Sequence, residues 1–244
     1  MMSTRKDFNW SLLSRYNLYS MLYELRNKVV NKSLLIEDLH SILAKHVKSH
    51  LPVKIRFDRD FKTAENYIYV GGMYHSDYDK KGYTRHIEII FSYYFLQERL
   101  KLTNYKWKRI CRVFSDVVLH EIIHMRQFRA RNFKLIPMYS SSAEKAKERK
   151  NQQYLGDRDE MGAYAFNIAC ELCDRFKYNF KEIEKYLDTD SYKKHKRSDW
   201  FRYMKAFNQN HNHIIIRRMK RKIINQLPNA ALGRPFKTNN HLTY

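Results

Sequence analysis

Val117-Val118-Leu119-His120-Glu121-Ile122-Ile123-His124-Met125 is the stretch on which the reading of this chain turns. It spells His-Glu-x-x-His inside an apolar run of helical character. On an α-helix, residues four apart stand one turn above the other on a single face. His120 and His124 can therefore offer two imidazoles to one zinc ion, and Glu121, about 100° further round, can reach a water held there. The chemistry asks for these residue types. Neutral imidazole is a good donor to zinc, and an open coordination position takes water. Zinc lowers the pKa of that water toward ~7, and a carboxylate removes its proton as it attacks a carbonyl.

Three fixed residues in five also recur by chance, and paired histidines on a helix are often ordinary polar positions. The surroundings favour the metal. At 3.6 residues per turn, Val113, Asp116, Val117, His120 and His124 share one face. Cys111, Phe114, Val118 and Ile122 lie roughly opposite, with Leu119 and Ile123 on a third side. A helix apolar on most sides belongs in a core, where His, Glu and His must be satisfied, and a metal does this economically.

A second stretch, Asp157-Arg158-Asp159-Glu160-Met161-Gly162-Ala163-Tyr164-Ala165, begins a helix expected to run to about Phe176. Two histidines leave a zinc site short of one protein ligand, and a carboxylate in third place keeps the fourth open. Glu160 is the candidate. Asp157, Asp159 or a distant histidine are rivals, and Asp157-x-x-Glu160 also fits a capping box in which Glu160 merely closes its own helix. Gly162, Ala163 and Ala165 would let this helix approach the histidine-bearing one closely. Cys170-Glu171-Leu172-Cys173 lies mid-helix and has no second pair, so the thiols read as core packing rather than a redox couple.

The chain has 244 residues, with 47 Lys+Arg against 25 Asp+Glu for a net charge of +22. That balance implies attraction to polyanions such as nucleic acid. The excess is concentrated at the end: from Lys193 to Tyr244 there are 13 basic residues and one acid, Asp199. Basic side chains beside Trp200, Phe201, Tyr203 and Phe207 suit phosphate contact and base stacking, although a solvated face around a packing stripe reads almost as well. Only 6 Gly and 4 Pro argue for long helices over a turn-rich β protein. Met1 to Trp10 lacks an apolar core of a secretion signal, and no run approaches the ~18 apolar residues of a membrane span. Three cysteines fit a reducing compartment. The expectation is a cytoplasmic protein of unknown oligomeric state.

In order, the periodicity predicts helices over 8–30 and from an N-cap at Ser33 to Pro52. Strands follow around Val53-Ile55-Phe57, Ile68-Val70-Met73 and Arg85–Phe91, the last two antiparallel. A short helix is expected over Tyr94–Leu102. A long one follows from about Tyr105 to Arg131, capped by Thr103 or Asn104. Residues 132–156 read as a basic surface loop, with a capping box at Ser141–Glu144 as the sign of a short helix within it. Two amphipathic helices, around Trp200–Phe207 and Ile214–Ile224, precede an extended tail. The organisation predicted is one domain over 1–227 (1–52 helical, 53–103 sheet, 104–176 metal-site helices, 177–227 basic helices) and a basic tail over 228–244.

His120-Glu121-x-x-His124 followed by Glu160-x-x-Ala163 resembles the zinc metallopeptidases called gluzincins. The fuller pattern, Leu-His-Glu-Ile-Ile-His and then Asp-x-Asp-Glu-x-x-Ala-Tyr-Ala, is similar to small uncharacterised metallopeptidase-like proteins of bacteriophages, over about residues 85–176. The resemblance implies a zincin-like α+β fold, mainly helical, with a small antiparallel or mixed sheet packed on the active-site helix. It implies His120, His124 and Glu160 as zinc ligands, Glu121 as general base and then acid, and a peptide or protein substrate. If the chain is phage-encoded, its place is the host cytoplasm or the virion. Gluzincins commonly carry an Asp one turn after the ligand glutamate; Tyr164 stands there instead. Asp116 is then a candidate to orient His120, and Tyr154, Tyr164, His195, His211 or His213 to stabilise the oxyanion. The competing expectation is a basic nucleic-acid-binding or virion assembly protein whose zinc site is structural or vestigial.

Overall fold

A computed structural model describes residue 8 and residues 13–235. The fold is α+β and mainly helical, and the chain divides into two compact units, Met1–Phe133 and Lys134–Tyr244.

In the first unit, α1 (Arg15–Tyr23) starts at Ser14, whose hydroxyl accepts from the Asn17 backbone N–H. After the single turn α2 (Arg26–Val29) come β1 (Ser33–Leu35) and α3 (Ile36–His50). The three-stranded sheet holds β2 (Val53–Asp60), β3 (Ile68–Tyr74) and β4 (Ile87–Tyr94) in the order β2-β4-β3. It is mixed: β4 runs antiparallel to β3 and parallel to β2. β4 takes the centre because its alternate residues Ile87, Ile89 and Phe91 are the most apolar, and all three are fully buried. A short helix, α4 (Ser76–Lys80), links β3 to β4. β5 (Arg99–Lys101) pairs antiparallel with β1.

The 27-residue α5 (Asn104–Ala130) carries the His-Glu-x-x-His stretch. Thr103 Oγ1 accepts from the Lys106 N–H and caps it, as the sequence predicts. Its face with Trp107, Cys111, Phe114, Val118 and Ile122 is fully buried, and the helix packs on α1, β3 and β4.

The second unit is helical: α6 (Ala146–Gly156), α7 (Arg158–Phe176), α8 (Phe180–Asp188), a 3-10 turn over Asp190–Lys194, α9 (Asp199–Ala206) and α10 (Ile214–Ala231). Its core is the pairing of α7 with α10. The small residues Ala163, Ala165 and Ala169 on α7 are buried, as is the stripe Ile215, Ile216, Met219, Ile223 and Leu227 on α10. Trp200 and Tyr203 of α9 complete it.

Several expectations are corrected. The first helix begins at Arg15, and residues 9–12 of the predicted span lie outside the described residues. Ser33 opens a strand instead of capping a helix; α3 starts at Ile36 behind Leu35 with no side-chain cap. Residues 94–102 do not form a helix. Buried Leu100 and Leu102 alternate with exposed Arg99 and Lys101, a period of two that β1 satisfies by pairing. The short helix expected within 132–156, over Ser142–Gln153, is present as α6 but runs from Ala146 to Gly156, and Ser141 binds Gln152 and the Ala143 N–H instead of capping it. The tail expected from Pro228 is helical to Ala231. A proline so near the helix end removes one hydrogen bond, while buried Leu227 and Ala230 hold the last turn in place. Residues 236–244 of that tail lie outside the described residues.

Candidate metal centre

His120 and His124 lie one turn apart on α5, each 8% exposed, and the structure brings their Nε2 atoms to 3.1 Å. Two ligands on a tetrahedral zinc, each ~2.05 Å from it, stand about 3.3 Å apart. The imidazoles are therefore spaced as a pair of zinc donors would be. His124 Nδ1 lies 3.2 Å from Gln127 Oε1. An amide oxygen only accepts, so this contact is a hydrogen bond in the tautomer with its proton on Nδ1, which leaves the Nε2 lone pair to face the neighbouring ring.

Glu121, 7% exposed, points toward the sheet, where the backbone of β3 passes at Gly72. A Cβ on Gly72 would stand 2.6 Å from Val117 Cγ1 and 2.8 Å from both Cγ and Oε1 of Glu121. Only glycine permits that approach. Gly72 pairs with Ile89 of β4, and β3 is the edge of its sheet. The carboxylate of Glu121 thus lies against an edge strand.

Asp116, the candidate to orient His120, receives a two-pronged contact from Arg15, whose Nε and Nη2 lie 2.6 and 3.2 Å from its two oxygens. The C-terminal half of α5 is anchored by a buried charge. Asp79 of α4, 1% exposed, accepts from Arg129 Nε and Nη2, both at 2.8 Å, and from Tyr74 Oη at 2.8 Å. Burial alone would raise this carboxyl, but the Arg129 and Tyr74 hydrogen bonds outweigh it and hold it below the usual carboxylate range. His86, beside Asp79, reaches the Met125 sulfur at 3.1 Å from Nε2.

In the second unit, Asp157 is the N-cap of α7: its Oδ1 accepts from the N–H groups of Asp159 (2.8 Å) and Glu160 (3.4 Å). The reciprocal half of a capping box is missing, because the Asp157 N–H donates to the Tyr154 carbonyl and not to the Glu160 side chain. Asp157 is therefore committed to the helix end. Glu160 is half-buried beside Tyr154, whose phenol is pushed up by burial first, then by Tyr164 and by the Glu160 carboxylate. Tyr154 and Tyr164 bring their hydroxyls to 3.4 Å, and Arg202 donates to Tyr164 Oη at 2.8 Å. The three histidines considered for the oxyanion each have local work in this unit. His195 Nδ1 meets Tyr186 Oη at 3.2 Å, His211 pairs with Asp190, and His213 Nδ1 caps α10 by accepting from the Ile215 N–H. Cys170 and Cys173 are buried in the α7 core face.

Sequence reasoning missed Gln127 and the role of Gly72. Both leave a signal: an amide three residues past a helical histidine, and a glycine inside an alternating strand. It also missed a second set of donors, Glu24, His46 and His50, gathered in the first unit. There His46 Nε2 reaches the Met21 carbonyl at 2.7 Å and His50 Nδ1 the His46 carbonyl at 2.9 Å. The chain has residue groups that could bind a metal. Among the described residues no helix is long and apolar enough to cross a membrane. Comparison with family models, with curated proteins and with solved structures found no match.

Proposed function

We propose that this chain is a zinc-dependent metallopeptidase or amidase of the gluzincin type, built on a zincin-like arrangement of sheet and active-site helix. The observation that carries the reading is the pair of buried imidazole Nε2 atoms 3.1 Å apart with Glu121 beside them. His120, His124 and Glu160 are the ligands in this reading. The cap geometry supports Glu160 over Asp157, since the latter's carboxylate holds the start of α7. Zinc bound there would supply a Lewis acid and make a water acidic enough to attack at neutral pH. Glu121 would hold the proton given up by the attacking water as the C–O bond forms at the scissile carbonyl carbon, and would return it to the nitrogen as the C–N bond breaks, ending each cycle ionised. Gln127 keeps His124 in the tautomer that can ligate. The unpaired edge of β3 offers backbone N–H and C=O groups to an extended peptide, which would place the substrate chain beside Glu121. Tyr154, a protonated phenol at neutral pH, is a donor for the oxyanion.

The test is metal content by mass spectrometry on purified wild type, His120→Ala, Glu160→Ala and Glu121→Gln, paired with cleavage of an unstructured protein such as casein. The reading expects about one zinc per chain in wild type and Glu121→Gln, loss in the two ligand variants, and no turnover by Glu121→Gln. Zinc lost only from His120→Ala would move the third ligand to Asp159 or a histidine. A wild type that takes up no zinc when it is supplied would sink the reading.

A further inference from the structure

The second unit has a cleft of about 790 Å³ between α6 and the α9 region, held in shape by Gln152, whose side-chain amide donates to the Ala206 carbonyl at 2.8 Å. Its walls gather five cations, Lys147, Lys196, Arg197, Arg202 and Lys205, against two carboxylates, Glu148 and Asp199. Glu148 is shared with Lys145 at 3.6 Å on the exposed face of α6. Lys147, Lys196, Arg197 and Lys205 are exposed, and none of them forms an ion pair with a carboxylate of this chain among the described residues. Arg202 differs from these four. It donates to Tyr164 Oη at 2.8 Å and lies 5.7 and 5.4 Å from the ring centroids of Tyr154 and Tyr164, so it is fixed in place. Phe201, half-exposed, adds an aromatic ring to the same wall.

Cations that converge on a concave surface repel one another, and the low-dielectric walls concentrate their field. A solvated basic surface would spread them over its convex face. We propose that this cleft is a binding groove for single-stranded nucleic acid. The cations would take consecutive phosphates, and Phe201 would give a base a face to stack on. The inference uses neither the metal nor its ligands. It gives a location to an attraction for polyanions that the net charge of +22 leaves general.

The experiment is fluorescence anisotropy of a labelled oligothymidylate of about 16 nucleotides against the whole chain, in EDTA, between roughly 50 and 200 mM NaCl. Three proteins are compared: wild type, the triple variant Lys196→Gln/Arg197→Gln/Lys205→Gln, and a control with the same charge removed from exposed positions of α10, Arg217→Gln/Arg218→Gln/Arg221→Gln. Far-UV melting confirms that all are folded. The cleft variant should bind at least ~10-fold more weakly and lose about 2 from the slope of log K against log salt, near 0.7 for each phosphate contact removed. The control should stay within about twofold of wild type. Phe201→Leu should weaken binding with the slope unchanged, as lost stacking does and lost charge does not. Three outcomes would overturn the proposal: equal weakening by both triple variants, which means diffuse attraction; competition by polyglutamate as strong as by unlabelled oligothymidylate, which means an acidic peptide groove; or no binding by wild type at the lowest salt.

Discussion

Gln127 reaches the candidate metal centre with its amide oxygen, 3.2 Å from His124 Nδ1. Partners of this kind set ligand orientation and basicity, and their loss costs about 10–100-fold in metal affinity. Gln127→Ala should keep the fold and bind zinc more weakly by that factor, measured by competition with a chromophoric chelator; unchanged affinity would show the contact to be idle. Gly72→Ala meets a harder limit. Its new Cβ would overlap Val117 and Glu121, so β3 must move, and a loss of about 1–3 kcal/mol is expected by urea unfolding. The pairing of His120 with His124 was legible because i, i+4 geometry is local to one helix. The meeting of Gly72 with Glu121 was not, because it depends on where a strand 49 positions earlier comes to lie.

Among elements, α5 was read almost to the residue, since Thr103 signals its start and a long apolar period fills it. Thr103→Ala should cost about 1 kcal/mol, read from chemical unfolding. β1 and β5 were missed for a common reason: strands of three residues carry too little period, and each is a strand only because the other is there. The hold on the C-terminal half of α5 gives a pH prediction. Asp79 titrates below its unfolded value, so its contribution is fully present above the ordinary carboxylate pKa of ~3.9 and is lost as pH falls through its own lower value. Asp79→Asn, which removes the buried charge that Arg129 and Tyr74 hydrogen-bond, should lose about 3 kcal/mol near neutral pH. It should also show a shallower decline of stability below pH ~4 than wild type. An identical decline in the two proteins would assign the acid limb to other carboxylates.

For the whole molecule, charge is the dominant fact. A net +22 on 244 residues sets every cation in the field of the others, and that self-repulsion opposes the compact state. Raising NaCl from roughly 10 to 150 mM should therefore raise the melting temperature, with sulfate more effective than chloride at equal ionic strength. A melting temperature that falls with salt would mean that ion pairs such as Arg15–Asp116 and Arg129–Asp79 outweigh the repulsion. The basic excess was legible in composition, but its gathering into a cleft was not. Lys147 is separated in sequence from Lys196, Arg197, Arg202 and Lys205, and folding makes them neighbours. The division into two units at Phe133 and Lys134 also leaves little trace: Asn132 and Phe133 both take left-handed backbone, with φ of 52° and 59°, and no run of Gly or Pro marks the place.

The bare backbone at Gly72 also acts as a key during folding. Slipping β3 by two residues against β4 would bring Val70 or Tyr74 to the place of Gly72, and slipping by one would bring Met73 there in one direction and Gly71 in the other. None of these side chains fits where Val117 and Glu121 leave no room for a single carbon. Three of the four nearest wrong registers therefore cannot seat the helix, and docking of α5 proofreads the sheet against them.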